Sequence, residues 1–234
     1  MKLREHPIVA VFTSPVGKKV LTGLTGLGLV GFVIVHMLGN LSYMSGDPNA
    51  YNLYAETLQN LGPLLYLTEI GLVGFFVLHI VIGVNIYRRK RRARTIGYST
   101  YKSAGRPSRQ SLSSRTMIIT GLVLLVFLVI HLKSFKFGPG IADGYVVEIE
   151  GRQIRDLKTL MTHKFQQPLY AFGYPVVLIL LGFHLRHGVW SALQSLGVMT
   201  PRLTAIIYPI GMFVAILVTA GFIVVPLYIY FSQF

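Results

Sequence analysis

Residues 64–87 read LLYLTEIGLVGFFVLHIVIGVNIY, an apolar stretch that contains a single acid, Glu69, and a single histidine, His79. The hydrocarbon core of a bilayer is about 30 Å thick, so a helix needs roughly 20 consecutive apolar residues to cross it. The stretch is continuously apolar and does not alternate, which favours a helix over a barrel strand. It therefore predicts a transmembrane helix that carries two ionisable groups.

Four further apolar runs have the length of a membrane span, at about residues 20–39, 116–132, 168–196 and 203–231. The 234-residue chain is 53% hydrophobic and 13% charged, with a mean hydropathy of +0.59, whereas a soluble domain carries about 25% charged residues. We see no convincing internal repeat among the five runs. The sequence predicts an all-α integral membrane protein, in which five transmembrane helices form one bundle.

The net charge of +14 is concentrated in the connections between the runs. Residues 88–115 carry ten Lys or Arg and no acid, and residues 1–19 carry four against one acid. Residues 40–63 carry only acids, and residues 133–167 carry six Lys or Arg against four acids. The positive-inside rule then predicts a cytoplasmic N-terminal arm, a basic cytoplasmic loop at 88–115, an outer loop at 133–167 and an external C-terminus. The basic loop serves as a topology signal that contacts anionic lipid, or it also docks a cytoplasmic partner.

The chain contains no cysteine. This excludes disulfides, thiolate metal sites, iron–sulfur clusters and covalent haem attachment through a C-x-x-C-H sequence. Any haem must therefore be bound noncovalently, through histidine or methionine ligands.

Histidines occur within four of the five predicted spans, where ionisable side chains are costly and usually functional. One such histidine alone could hydrogen-bond a neighbouring helix, but four on four different helices are harder to explain in that way. His6 and His163 lie in connections and are interpreted as ordinary surface residues. The intramembrane set is His36, His79, His131, His184 and His187.

The depths of these histidines sort them into two pairs. His36 and His131 lie near the outer ends of the first and third spans, and His79 and His184 lie in the inner halves of the second and fourth. At 1.5 Å per residue, the two levels differ by on the order of 12 Å. Two imidazoles at each level match bis-histidine ligation of two stacked b-type haems, which suits electron transfer because both axial positions are filled. A zinc site would gather three or four ligands at one level.

The sequence does not decide which histidine of the fourth span is the ligand. His187 follows His184 by three residues, so both lie on one helix face and either is a candidate ligand. Arg186, between them, is placed to pair with a haem propionate or to snorkel towards the cytoplasmic interface. Glycines on the first four spans would let a flat macrocycle approach the backbone, or would serve close helix packing.

Four stretches together resemble a known family. They are KKVLTGLTGLGLVGFVIVHMLGNL (18–41), NLYAETLQNLGPLLYLTEIGLVGFFVLHIVIGVNIYRRKRRAR (52–94), SRTMIITGLVLLVFLVIHLKSFKFG (114–138) and LGFHLRHGVWSALQSLG (181–197). These stretches are similar to the dihaem, five-helix cytochrome b membrane anchor of succinate dehydrogenase and quinol:fumarate reductase. The resemblance implies an outer haem between His36 and His131 and an inner haem between His79 and His184, and so favours His184 over His187.

The resemblance also implies partners. A flavoprotein subunit with FAD and an iron–sulfur subunit would dock on the cytoplasmic face of a bacterial inner membrane. Electrons would pass between succinate or fumarate on those subunits and a quinone, menaquinone being the expected one, through the two haems. The chain itself would carry no dicarboxylate chemistry.

The quinone site is expected near the outer haem, with an acid that handles the quinone proton. Gly182 stands where some members of the family carry an acid just before the fourth-helix ligand. Two other functions remain open: the cytochrome b subunit of a different respiratory complex, and a membrane transporter without haem. The candidate quinone residues are Glu69, Glu56, Asn40 and Lys133, with Tyr54 as a further aromatic candidate.

Overall fold

The computed structural model describes residues 12–93 and 112–234. The first part of the predicted arm, with His6, and residues 94–111 of the basic loop lie outside the described residues. Within the described ranges, five helices are long and apolar enough to cross a membrane, as the sequence predicted. They are α1 (Pro15–Leu41), α3 (Pro63–Arg92), α4 (Leu112–His131), α6 (Pro168–Ser195) and α7 (Pro201–Phe231).

Two of these helices extend beyond their apolar runs. The first begins at Pro15, where the Ser14 side chain accepts a hydrogen bond from the Gly17 backbone N–H at 2.9 Å and caps the helix. The second continues through five basic residues to Arg92, so the start of the predicted basic loop is helical. Cations in a last turn interact favourably with the negative end of the helix dipole. The hydropathy of the sequence shows where the apolar part of a helix ends. The helix itself continues beyond that point.

The connections at the opposite end of the bundle are folded. Between α1 and α3 lies the short helix α2 (Ala50–Gln59), and between α4 and α6 lie strands β1 (Val146–Ile149) and β2 (Arg152–Arg155) and helix α5 (Leu157–Phe165). The strands pair antiparallel. We call these elements the cap, their end of the bundle the hairpin end, and the end with Arg88–Arg92 the basic end.

The hairpin has a tight two-residue turn. Glu150 and Gly151 both have positive φ angles, of 52° and 73°, and two such residues in succession match the twist of the flanking strands. Asp156 then caps α5 by accepting a hydrogen bond from the Thr159 backbone N–H at 2.9 Å. The sequence predicted an outer loop here, because strands of four residues are too short to leave a clear periodic pattern.

Four of the membrane helices form a ring around the two histidine levels. Helix α1 packs on α3 and α6, and α4 packs on α6 and touches α3, so α1 lies diagonally across from α4, and α3 diagonally across from α6. Helix α7 packs outside this ring against α6 and α1. Its contact is built from Met37 of α1, Leu185 of α6, and Ala215 and Val218 of α7, all buried.

Candidate functional site

Two of the histidines meet across one diagonal at the hairpin end. The ring centroids of His36 on α1 and His131 on α4 are 5.7 Å apart, with the rings at 83° to each other. Phe32 stacks on His36 at 5.4 Å and 10°, and Phe127 stacks on His131 at 5.8 Å and 25°. We call these two histidines the hairpin-end pair.

The other diagonal brings together a second pair, nearer the basic end. The ring centroids of His79 on α3 and His184 on α6 are 6.4 Å apart, at an angle of 65°. The imidazole that faces His79 is thus that of His184, the residue that the resemblance favours over His187. We call His79 and His184 the basic-end pair.

Both pairs have the spacing that a shared metal ion needs. A metal–nitrogen bond of about 2.0 Å on each side places two imidazole centroids roughly 6 Å apart, close to the 5.7 Å and 6.4 Å observed. In the described residues no group of three or more His, Cys, Asp or Glu side chains is arranged to hold a bare metal ion. A porphyrin supplies four ligands itself, so two imidazoles complete the coordination of its iron. The donor sets therefore fit two bis-histidine haems.

Threonine hydroxyls orient the basic-end pair. The Oγ1 atom of Thr25 on α1 lies 3.4 Å from Nδ1 of His79, and Oγ1 of Thr120 on α4 lies 3.0 Å from Nδ1 of His184. Each hydroxyl comes from the neighbouring helix in the ring, and both threonines are buried. Both contacts are made by Nδ1, which leaves the two Nε2 atoms as the nitrogens available to a metal.

The hairpin-end pair has a different polar environment. Asn40 donates from Nδ2 to the His36 backbone carbonyl at 2.8 Å, and the same nitrogen lies 3.5 Å from the ring atom Nε2. Tyr51 of the cap donates to Oδ1 of Asn40 at 3.4 Å. Nδ1 of His131 is buried, with no hydrogen-bond partner among the described residues. Here the aromatic rings position the imidazoles.

The two threonine–histidine contacts point to a short internal repeat that the sequence analysis did not identify. Residues 25–36 read TGLGLVGFVIVH and residues 120–131 read TGLVLLVFLVIH, which are identical at six of twelve positions. The matches include the threonine, the following glycine, the stacked phenylalanine and the histidine. The identical positions are separated by differing apolar residues, which make the repeat hard to recognise in the sequence alone.

The repeat continues into the next helix of each half. Helices α3 and α6 both begin at a proline, Pro63 and Pro168, sixteen residues before the histidine of the basic-end pair. A Gly-Val pair follows each of these histidines by four residues. A short helix precedes each proline, α2 in the first half and α5 in the second. The two halves thus share the order of elements, and the hairpin and α7 are additions.

The repeat also refines the separation of the two levels. Thr25 contacts the basic-end pair and precedes His36 by eleven residues, about three helical turns on the same face. Eleven residues rise about 16 Å. The sequence estimate was on the order of 12 Å, because it measured depth from the ends of the apolar runs and not from a contact.

The fourth-span residues beside the basic-end pair have partners of their own. Arg186 donates to the Tyr208 hydroxyl at 2.6 Å, and its guanidinium lies 5.8 Å from the centre of that ring. This contact ties α6 to α7 at the basic end. Added to Gly182, a Cβ would collide with the Thr219 side chain of α7, so close packing explains this glycine.

Both candidate quinone acids form ion pairs at the hairpin end. Glu69 on α3 pairs with Lys136, which lies in the π-helical turn Leu132–Lys136 that follows α4. Glu56 on α2 pairs with Arg152 of the hairpin at 2.8 Å. Glu69 thus lies on a helix of the histidine ring, whereas Glu56 and its partner both lie in the cap.

The remaining quinone candidates differ in their surroundings. Lys133 is exposed. Tyr54 lies directly over Gly39 of α1, where an added Cβ would collide with the tyrosine ring. Tyr54 therefore has a packing role in the structure. Of all the quinone candidates, Asn40 alone has a side-chain contact to an imidazole of either pair.

Arg155 is a structural residue that the sequence analysis missed. Its guanidinium donates to the carbonyl oxygens of Phe135, Gly138 and Pro139, at 2.7 to 3.0 Å. The Phe135 carbonyl lies in the π-helical turn that ends the His131 helix and the other two follow it, so one side chain from β2 caps that helix. Only the three-dimensional pairing of β2 with this turn reveals the contact.

Comparisons of the chain with protein-family models, with curated protein sequences and with solved structures returned no match.

Proposed function

We propose that this chain is the dihaem cytochrome b subunit that anchors a succinate:quinone oxidoreductase in the membrane. In this role it carries electrons between an iron–sulfur subunit and a quinone of the menaquinone type. One observation carries the haem assignment: two imidazole pairs, from four helices, meet across the two diagonals of one helical ring. The motifs quoted above supply the choice of complex.

Each haem, when bound, would exchange single electrons between its ferrous and ferric states. The chain's own residues would hold the two groups and keep them six-coordinate, since both axial positions would be imidazoles. Phe32 and Phe127 would shield the hairpin-end pair from water. Thr25 and Thr120 would hold the imidazoles of the basic-end pair.

The charge distribution supports an orientation for the complex. Helix α3 ends in the basic run Arg88–Arg92, and the positive-inside rule assigns such clusters to the cytoplasm. The flavoprotein and iron–sulfur subunits would then dock at the basic end and perform the dicarboxylate chemistry. The hairpin end would face the outside of a bacterial inner membrane, with the quinone close to it.

Residues at the hairpin end support quinone chemistry there. Glu69 lies on a helix of the histidine ring and is paired with Lys136, so a carboxylate and an ammonium group are available where a quinone would take up protons. Asn40 donates a hydrogen bond to the backbone carbonyl of His36, which belongs to the hairpin-end pair. These residues are the proposed quinone-site residues.

The test is a visible spectrum and a haem assay of the protein purified with whatever subunits accompany it. We expect low-spin bis-histidine bands, two noncovalent haems per chain, and a flavin-containing and an iron–sulfur subunit in the preparation. Two haems without a flavoprotein would instead identify the cytochrome b of another respiratory complex. A preparation from haem-replete cells without pigment would contradict the proposal and favour a transporter.

A further inference from the structure

Thr25 and Thr120 are buried polar residues to which the sequence analysis assigned no role. Only 5% of Thr25 and 4% of Thr120 is exposed. Their hydroxyls lie 3.4 Å and 3.0 Å from the Nδ1 atoms of His79 and His184. A threonine hydroxyl in an apolar helix can be satisfied by a carbonyl of its own helix, so the contact with an imidazole is a separate feature of each site.

The direction of these hydrogen bonds follows from the other bonds that the hydroxyls make. Thr25 donates to the Leu21 carbonyl at 2.8 Å, and Thr120 donates to the Thr116 carbonyl at 3.1 Å. A hydroxyl has one proton, so a group that already donates to its own helix can only accept from a ring nitrogen. Each imidazole then carries its proton on Nδ1 and presents the lone pair of Nε2, the form that binds a metal.

The same arrangement occurs in both halves of the internal repeat. A glycine follows each threonine, and a Cβ added at Gly26 or Gly121 would lie 3.2 Å or 3.5 Å from Cε1 of the histidine that the preceding threonine contacts. The Thr-Gly pair thus offers each imidazole a hydroxyl and a bare backbone surface. Because the pair is present in both halves, coincidental packing at one site does not explain it.

We propose that Thr25 and Thr120 are positioning residues that fix the tautomer and orientation of His79 and His184. This inference rests on the proposed haem function. An acceptor on the distal nitrogen of a ligating imidazole raises the basicity of the ligand, which stabilises the ferric state. The two hydroxyls therefore lower the midpoint potential of the basic-end haem, whereas Nδ1 of His131 in the hairpin-end pair has no such partner in the described residues.

The test is a redox titration of Thr25→Val, Thr120→Val and the double variant, in the assembled complex. Valine keeps the shape of threonine and removes the hydroxyl acceptor, while the Thr22 backbone, which also hydrogen-bonds His79, stays in place. We expect the potential of one haem to rise, most in the double variant, while the other haem titrates as in the parent protein. Thr25→Ser and Thr120→Ser should restore the parent potential. Unchanged potentials in the double variant would overturn the inference.

Thr22→Val and Thr116→Val are matched controls. Their hydroxyls donate to the Lys18 and Leu112 carbonyls, at 2.8 Å and 3.0 Å, one turn from the threonines under test. We expect both haems of these variants to keep their potentials. An equal shift in the controls would show that any threonine on these helices has this effect, and would also overturn the inference.

A second measurement separates this inference from the proposed function. In protein labelled with ¹⁵N-histidine, nitrogen chemical shifts report the tautomer whether or not a porphyrin is bound, and His79→Gln and His184→Gln identify the relevant signals. Protonated Nδ1 in the parent protein, lost in the valine variants, would support the inference. Protonated Nε2 in the parent would overturn it, while absence of haem alone would overturn the proposed function.

Discussion

The two histidine pairs are built from the same repeat but are held in different ways. At the basic end, each imidazole has a hydroxyl at Nδ1 and a glycine against Cε1, and both come from the adjacent helix. At the hairpin end, stacked phenylalanines hold the imidazoles, and Tyr51 of the cap reaches His36 through Asn40 of α1. The basic-end pair depends on the membrane helices alone, and the hairpin-end pair also depends on the cap.

The Thr-Gly contacts to the imidazoles recur in both halves at the basic end, whereas the residues beyond the histidines differ between the halves at the hairpin end. Aligning the halves on their histidines places Asn40 opposite Phe135 and Glu69 opposite Tyr174, all at the hairpin end. At these two positions the first half is polar and the second half is aromatic. Under the proposed function, the basic end binds one fixed group between equivalent helices, while the hairpin end must also admit a quinone and its protons. The polar residues Asn40 and Glu69 on one half only are consistent with that difference.

The largest expected effect is the selective loss of one haem. We expect His79→Ala or His184→Ala to remove the basic-end haem completely and to leave the hairpin-end haem, because one imidazole cannot complete the axial coordination. Haem extraction should give one haem per chain. His187→Ala is the control, since the ring facing His79 is that of His184. Loss of a haem in His187→Ala, with two haems retained in His184→Ala, would contradict the pairing.

The next effect tests whether only the hairpin-end pair depends on the cap. Arg155→Met removes a cation that caps the His131 helix through three carbonyls, and we expect it to lower the free energy of unfolding by about 2 to 4 kcal/mol. The hairpin-end haem should be lost first on heating. Arg152→Met is the control, because its ion pair with Glu56 is half-exposed and such pairs contribute about 0 to 1 kcal/mol. Equal stability of the two variants would contradict this role of Arg155.

A smaller effect concerns acid and the start of α5. Asp156 is partly buried, which disfavours its charged form, but hydrogen bonds from Thr159 and Asn52 outweigh burial and lower the pKa of this carboxyl. Its contribution to stability is therefore present above the ordinary aspartate pKa and is lost as the pH falls through that value towards the lowered one. We expect Asp156→Ala to cost about 1 kcal/mol at neutral pH, as for other helix caps.

The pH dependence of thermal unfolding checks this contribution. The parent protein should lose the stability supplied by Asp156 below about pH 4, and the variant should lose less over the same range. The hairpin-end haem should report the change, and the basic-end haem should not. Equal acid sensitivity of both haems would show that the cap does not act on one pair alone.

The sequence predicted the features that follow from the length of the apolar runs and from the positions of the histidines along them. Five spans and two histidine levels follow from runs of apolar residues and from a fixed rise per residue, and the structure brings together the same two pairs, although their role as haem ligands stays a prediction. The cap was missed, because its elements are short and partly polar and resemble loops. The roles of Arg155 and Thr25 were missed because both act on residues that are distant in sequence.

The smallest expected effect tests how far the two halves of the repeat are equivalent. A Cβ at Gly26 would lie 3.2 Å from Cε1 of His79, which is closer than an ordinary contact, whereas a Cβ at Gly121 would lie 3.5 Å from Cε1 of His184. We therefore expect Gly26→Ala to shift the visible and EPR spectra of the basic-end haem slightly, and Gly121→Ala to leave them nearly unchanged. Alanine is a better helix former than glycine by up to about 1 kcal/mol, so a general loss of helix stability would not explain a change in Gly26→Ala alone. Equal shifts in both variants would mean that the haem, when bound, makes the two glycine contacts alike, and the asymmetry would then be confined to the hairpin end.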